Sequence, residues 1–335
     1  MSTQAIRGLY LMRDDVFDEV YGPENCRIIE RQVLIEAPQL NADSIKSCPE
    51  LLNNVDILLA SWGCPPIDED LLSHAPQLRA IFYAAGSVRA LVSDAAWRRK
   101  LTVVTGKDVI AERVAEFAAS IIYLSLKHFW HYERSAWRDR TWPQRRTVPG
   151  TVGSRVGLVS LGSVGQHLAR QLSGSALQVV AYDPYVDGEA LERPPSCSRV
   201  GLAELFSTSD VVSLHAPLNS ETEHMVGDDL LNSMKNGATL VNTARGGLIE
   251  PKALVSVLKA RRDLTAVLDV TEPEPLPPEH ELFSLPNVVI TPHIAGNVLL
   301  ERRAIGHAIA EEVERFARGE PLRRAVTPDG LVHSA

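Results

Sequence analysis

Short runs rich in valine, isoleucine and leucine alternate with stretches of helical period along almost the whole chain, and few folds accommodate that rhythm. The runs fall at residues 6–12, 57–62, 78–84, 102–105, 155–161, 177–182, 211–215, 238–242, 265–270 and 288–291. Strands joined through helices in this way predict parallel α/β domains. Two of the helical stretches are long. Ile110, Val114, Phe117, Ile121 and Leu124 share one face, as do Ile305, Ile309, Val313 and Phe316, with Gly319 placed to end the second helix. After the first comes a stretch with Trp130, Trp137, Trp142 and several arginines, too aromatic for a bare linker and suited to capping a neighbouring domain or a second subunit.

The run RVGLVSLGSVGQ, residues 155–166, reads as strand, tight turn and helix start, the context in which a dinucleotide fingerprint carries meaning. Gly162 lets the backbone approach a pyrophosphate, Gly165 lets the helix pack on the strand, and the helix N-terminus offers N–H groups and partial positive charge. Ser160 stands where the first glycine of the motif belongs. It is expected to be tolerated, because closest approach to the pyrophosphate depends on Gly162. The next strand ends in Asp183, 23 residues beyond Ser160, near the offset at which an acid accepts from the ribose hydroxyls of NAD and repels a 2′-phosphate. A serine–glycine turn followed by an aspartate in a loop is the plainer alternative.

Arg245, Glu274 and His293 lie just past the predicted C-terminal ends of three later strands, where open α/β sheets bind ligands. Gly246 and Gly247 allow a bend that aims the Arg245 guanidinium, a planar fork suited to a carboxylate or a polarised carbonyl. A carboxylate beside an imidazole makes an acid/base pair. Each residue alone also reads as an ordinary surface arginine, a solvated turn or an N-cap; their joint placement downstream of the fingerprint singles them out. His128, His131, His280 and His307 are assigned no chemistry, and His215 either borders the cofactor or ends a strand.

Composition closes off other classes. With 335 residues, 45% hydrophobic and 23% charged, the chain is expected to form two globular domains without extended disorder. Its 34 basic against 42 acidic residues leave a net charge of −8, which repels a polyanion, so no nucleic-acid partner is expected. The longest apolar run, residues 117–126, falls short of the ~20 residues that span a bilayer. Residues 1–15 lack the pattern of a leader, so a cytoplasmic protein without a membrane partner is expected. Cys26, Cys48, Cys64 and Cys197 lack metal-type spacing and are expected to be free, buried thiols, with no metal site.

Taken in order, VGLVSLGSVGQ, the Asp183 strand end, SLHAPLNSETEHMV, NTARGGLIE, LDVTEPEPLP and TPHIAGN resemble the D-isomer-specific 2-hydroxy acid dehydrogenases. The resemblance implies a flavodoxin-like substrate domain made from both chain ends, residues 1–106 and 299–335, and an inserted Rossmann NAD-binding domain, residues 107–298, joined by the two long helices. It implies that Arg245 binds the substrate carboxylate and keto group, His293 exchanges the proton, Glu274 holds His293, and Asp269 touches the nicotinamide amide. Further cofactor contacts are implied at Ser160, Gly162, Ser163, Val164, Gly165, His215, Ala216, Pro217, Thr243 and Ala244. The substrate turn falls at AAGSVRALV, with substrate contacts implied at Ala85, Gly86, Ser87 and Arg89; Gly86 and Ser87 match in position while Val88 and Arg89 replace the usual polar pair. Arg89 either offers charge to a second anionic group or points to solvent. A homodimer through the arm at residues 128–150 is likewise implied. The expected reaction is hydride transfer between NAD and C2 of a small 2-hydroxy or 2-keto acid. The same residues leave open an enzyme of phosphite or a phosphorylated acid, and an NAD-sensing interaction protein of the corepressor type.

Overall fold

The computed structural model describes residues 5–145, 147–186, 197–296 and 298–328. The chain divides into two units, one built from residues 5–110 with 298–328, the other from Ala111–Gly296.

In the first unit, β1 (Ile6–Leu11), β2 (Val33–Ile35), β3 (Ile57–Ala60), β4 (Ala80–Tyr83) and β5 (Thr102–Thr105) form a parallel sheet in the order 2-1-3-4-5, the flavodoxin-like winding. A short strand, Ala325–Val326, pairs antiparallel with β5. Successive residues of a strand point to opposite faces, so Leu58 and Ile81 enter one core while Ile57, Leu59 and Phe82 enter the other. Burial on both faces is why these strands are near-continuous apolar runs rather than alternating ones. The helix Leu300–Ala317 lays Ile305, Ile309 and Val313, all fully buried, on the second face. Gly319, at φ +66°, takes the left-handed conformation just beyond it.

In the second unit, β6 (Arg155–Val159), β7 (Gln178–Tyr182), β8 (Ser198–Arg199), β9 (Val211–Leu214), β10 (Thr239–Asn242), β11 (Thr265–Leu268) and β12 (Val288–Ile290) form a parallel sheet in the order 12-11-10-9-6-7-8. That is the Rossmann winding, with its switch point between β6 and β9. The helix Lys107–Ser125 buries Val114 and Ile121 of the expected stripe and packs Phe117 against this core, but Leu124 is 37% exposed, and Ala111, Ala115, Ala118, Ala119 and Ile122 complete the buried face. Small side chains let the helix lie close to the strands, which a search for large apolar residues overlooks.

All ten expected strands are present, several shorter by one or two residues at the C-terminal end. Leu161, His215, Val270 and Thr291 therefore belong to the loops that build the site. No described helix is long and apolar enough to cross a membrane. All four cysteines are free; Cys197 is buried as expected, whereas Cys26, Cys48 and Cys64 are half-buried.

Candidate active site

At the switch point, the chain leaves β6 through Ser160, whose φ of +78° is a left-handed conformation normally taken by glycine. Gly162 caps the helix Ser163–Leu172 without a side-chain cap bond, and a Cβ there would meet nothing within 4 Å. Open space at an uncapped helix N-terminus is what a pyrophosphate needs. Gly165 is dictated by the opposite condition: its Cβ would fall 2.3 Å from the Ser160 carbonyl oxygen. Asp183, 5% exposed, closes the turn. Its Oδ2 accepts from the Leu161 N–H at 2.8 Å and the Ser160 hydroxyl at 3.2 Å, and its Oδ1 from the Tyr185 N–H at 2.9 Å. Beside it lies a cavity of about 460 Å³ lined by Ser160, Gly162, Asp183, Tyr185, Ala216 and Pro217. The Tyr185 hydroxyl bonds to Glu221 there.

Two orphaned polar groups sit one residue beyond neighbouring strands. Among the described residues, neither nitrogen of the buried His215 ring, past β9, has a partner, nor does the buried Thr243 Oγ1, past β10. Unsatisfied buried groups are costly, so a polar ligand that meets them fits this end of the sheet. Burial pulls the His215 pKa down from 6.5 to about 4. A histidine held neutral in the fold binds its proton more readily once unfolded, so its contribution is complete above pH 6.5 and is lost as pH falls from 6.5 towards 4. Between pH 7 and pH 4 the protein should lose about 3 kcal/mol more stability than a His215→Leu variant, at ~1.4 kcal/mol for each tenfold in proton affinity. Urea unfolding across that range checks it; parallel curves would mean that the ring is not held neutral.

At the end of β10, Asn242 shapes the turn that presents Arg245: its Oδ1 accepts from the Ala244 N–H at 3.1 Å and its Nδ2 donates to the Arg245 carbonyl at 2.9 Å. Gly246 is required because a Cβ there would lie 2.1 Å from the Thr271 carbonyl carbon and oxygen. The guanidinium donates once, from Nη1 to the Ala244 carbonyl at 2.6 Å, and no carboxylate among the described residues is within ion-pair distance. Burial pushes its pKa below the ordinary arginine value, with Glu274 acting in the opposite direction. A guanidinium has five N–H donors, so most of this fork remains available to an anion.

Past β12, His293 adopts a left-handed backbone, φ +55°. Its N–H donates to the carbonyls of Asp269 at 2.9 Å and Thr291 at 3.0 Å. The Asp269 carboxylate, 2% exposed, accepts from the Thr291 hydroxyl at 2.5 Å and from the N–H groups of Ile294 and Ala295, each at 2.9 Å. Asp269 therefore builds the loop that aims His293. His293 Nδ1 lies 2.6 Å from Glu274 Oε1, both side chains being half-exposed. An ionised carboxylate only accepts, so Nδ1 carries the proton and Nε2 is the nitrogen left for exchange. A cavity of about 610 Å³ opens beside the pair, lined by Asp269, Glu274, Leu276, Phe283, Ile290 and His293.

The turn after β4 belongs to the first unit. There Thr105 Oγ1 lies 2.9 Å from the Ala85 carbonyl oxygen and 2.6 Å from that of Gly86, and Ser87 is half-buried. Val88 is fully buried in the core rather than lining a site, and Arg89 is exposed. Unforeseen contacts include the Ser160–Asp183 bond and a second imidazole–carboxylate pair, His224 Nε2 to Glu272 Oε2 at 3.0 Å. Residues 48 apart in the chain carry no local signal of such a contact.

Residues 109–295 match the family described as "D-isomer specific 2-hydroxyacid dehydrogenase, NAD binding domain". A glyoxylate reductase of Korarchaeum cryptofilum is 34% identical over 267 residues, covering 78% of this chain and 80% of that one. A D-3-phosphoglycerate dehydrogenase of Archaeoglobus fulgidus is 32% identical over 261 residues, covering 78% of this chain but 49% of its own, so the chain spans about half of that relative. The solved structure of a glyoxylate reductase from Paecilomyes thermophila shares the fold, with a TM-score of 0.79 at 23% identity over 97% of this chain and 99% of that one.

Proposed function

Since the chain belongs to the D-isomer-specific 2-hydroxyacid dehydrogenases, and is therefore an NAD-dependent oxidoreductase of 2-hydroxy and 2-keto acids, we propose that Arg245, Glu274 and His293 carry its reaction. The carrying observation is the 2.6 Å His293–Glu274 hydrogen bond on the same unit as an arginine with no carboxylate partner. NAD(H), when bound, supplies or takes up the hydride at C2 of the acid. The free N–H groups of Arg245 grip the substrate carboxylate and face the oxygen on which charge develops. In reduction, Nε2 of the doubly protonated His293 gives its proton to that oxygen; in oxidation, the neutral ring takes it back. Glu274 fixes the ring's tautomer and faces its positive charge. Asp183 accepts from a ribose hydroxyl of NAD, and the orphaned His215 and Thr243 groups gain partners when the cofactor binds. Asp269 offers its remaining acceptor site to the nicotinamide amide.

The relatives' names point to a small, unbranched 2-keto acid such as glyoxylate as substrate. A panel of 2-keto acids with NADH, followed by nicotinamide absorbance, tests this. Turnover should be best with the shortest acids, and no turnover of any panel member by folded, NADH-binding protein would sink the assignment of residues and substrate together.

We further propose a homodimer through the arm at residues 128–150. Trp137 and Trp142 there are 82% and 93% exposed, more bare aromatic surface than an isolated subunit ordinarily keeps. Light scattering should give twice the 36.7 kDa chain mass for the native protein and a monomer for a Trp137→Glu/Trp142→Glu variant. A native monomer would refute it.

A further inference from the structure

Ser160 breaks the fingerprint at its first glycine yet keeps the left-handed backbone, φ +78°, that the glycine is there to supply. A side chain at such a position is strained, so its retention asks for a compensating contact. Asp183 supplies it: the Ser160 hydroxyl donates to Asp183 Oδ2 at 3.2 Å, beside the Leu161 N–H at 2.8 Å. The Tyr185 N–H holds Oδ1 from the other side at 2.9 Å. Three donors, from the turns after β6 and β7, thus occupy three of a carboxylate's roughly four lone-pair positions. Asp183 is left with its rotation fixed and with one acceptor site, on Oδ1.

We propose that Ser160 is a positioning residue for cofactor selection: its hydroxyl clamps the Asp183 carboxylate so that one acceptor site, backed by a full negative charge, meets the adenosine ribose. The proposal rests on the reading of Asp183 as the ribose acceptor. A glycine in the same place leaves Oδ2 with a single donor and the carboxylate freer to turn away, which weakens its grip on a hydroxyl and its repulsion of a 2′-phosphate. Ser160 acts through Asp183 and makes no claim on the hydride or the transferred proton.

Ser160→Gly separates this role from a structural one, since glycine adopts the observed φ without strain and removes the hydroxyl together with its single methylene. NADH affinity by calorimetry and steady-state KM with NADH and NADPH are measured for the native enzyme, Ser160→Gly, Asp183→Ala and the double variant, with Tm for each. In Ser160→Gly, KM and Kd for NADH should rise about tenfold, the lower end for one hydrogen bond to a charged group. The loss should fall on KM rather than kcat, preference for NADH over NADPH should narrow, and Tm should not drop. In the Asp183→Ala background the same substitution should change Kd by less than about twofold, because coupled residues are non-additive. Native-like NADH affinity in Ser160→Gly overturns the proposal. So does an equal tenfold loss in the Asp183→Ala background, which would mean that the hydroxyl touches the cofactor directly. An Asp183→Ala enzyme that keeps native NADH affinity instead refutes the underlying role of Asp183.

Discussion

Replacing His293 with alanine should lower kcat by roughly 10²- to 10⁴-fold, the range for a lost general acid or base, while NADH affinity stays near native. Among the described residues the imidazole bonds to Glu274 alone, at 2.6 Å, and the loop that carries it is held by backbone groups and Asp269. The fold should therefore survive the truncation. The proton must be on Nε2 for reduction and absent for oxidation, so the loss should appear in both directions of the reaction. Glu274→Gln keeps an acceptor within reach of Nδ1 but removes the carboxylate charge that faces the protonated ring, and should lower kcat with NADH affinity near native. A His293→Ala enzyme with native kcat on its best substrate would remove the histidine from the mechanism. A Glu274→Gln enzyme with native kcat would keep the histidine and refute the role of its partner.

Arg245→Gln should reduce kcat/KM by about 10²- to 10⁴-fold, the combined effect of two charge-assisted hydrogen bonds at ~1.5–3 kcal/mol each. Within the described residues the guanidinium has only the Ala244 carbonyl as hydrogen-bond partner, so little of that loss should be structural. Arg245→Lys restores the charge but not the planar fork and should recover only part of the loss. NADH affinity should be nearly unchanged in both variants. A glutamine variant within fivefold of the native kcat/KM would show that the substrate carboxylate is held elsewhere.

Much of this arrangement was legible in the chain because it rests on local patterns. Parallel strands buried on both faces must be apolar throughout, which marked β1, β3–β7 and β9–β12. The three-residue β2, the exposed pair Ser198–Arg199 and the edge pair Ala325–Val326 escaped, since so few residues carry no periodicity. Val88 sits at a position expected to be polar, but burial makes it core. The alanine stripe of the helix Lys107–Ser125 was likewise hidden, because side-chain size does not say which face meets a sheet.

The sequence by itself determined two parallel α/β domains, an NAD fingerprint and three ionisable residues at strand ends, since strand, turn and helix signals act over a few neighbouring residues. Only the tertiary structure decided which of those residues meet. His293 reaches Glu274 across 19 positions, Ser160 reaches Asp183 across 23, and Asp269 organises the His293 loop from 25 positions away. Such pairings depend on strand order and on left-handed turns at Ser160 and His293. Neither leaves a mark in local composition: a parallel sheet brings distant strand ends to one edge whatever their separation in the chain, and the direction of each side chain there is set by the loops packed around it.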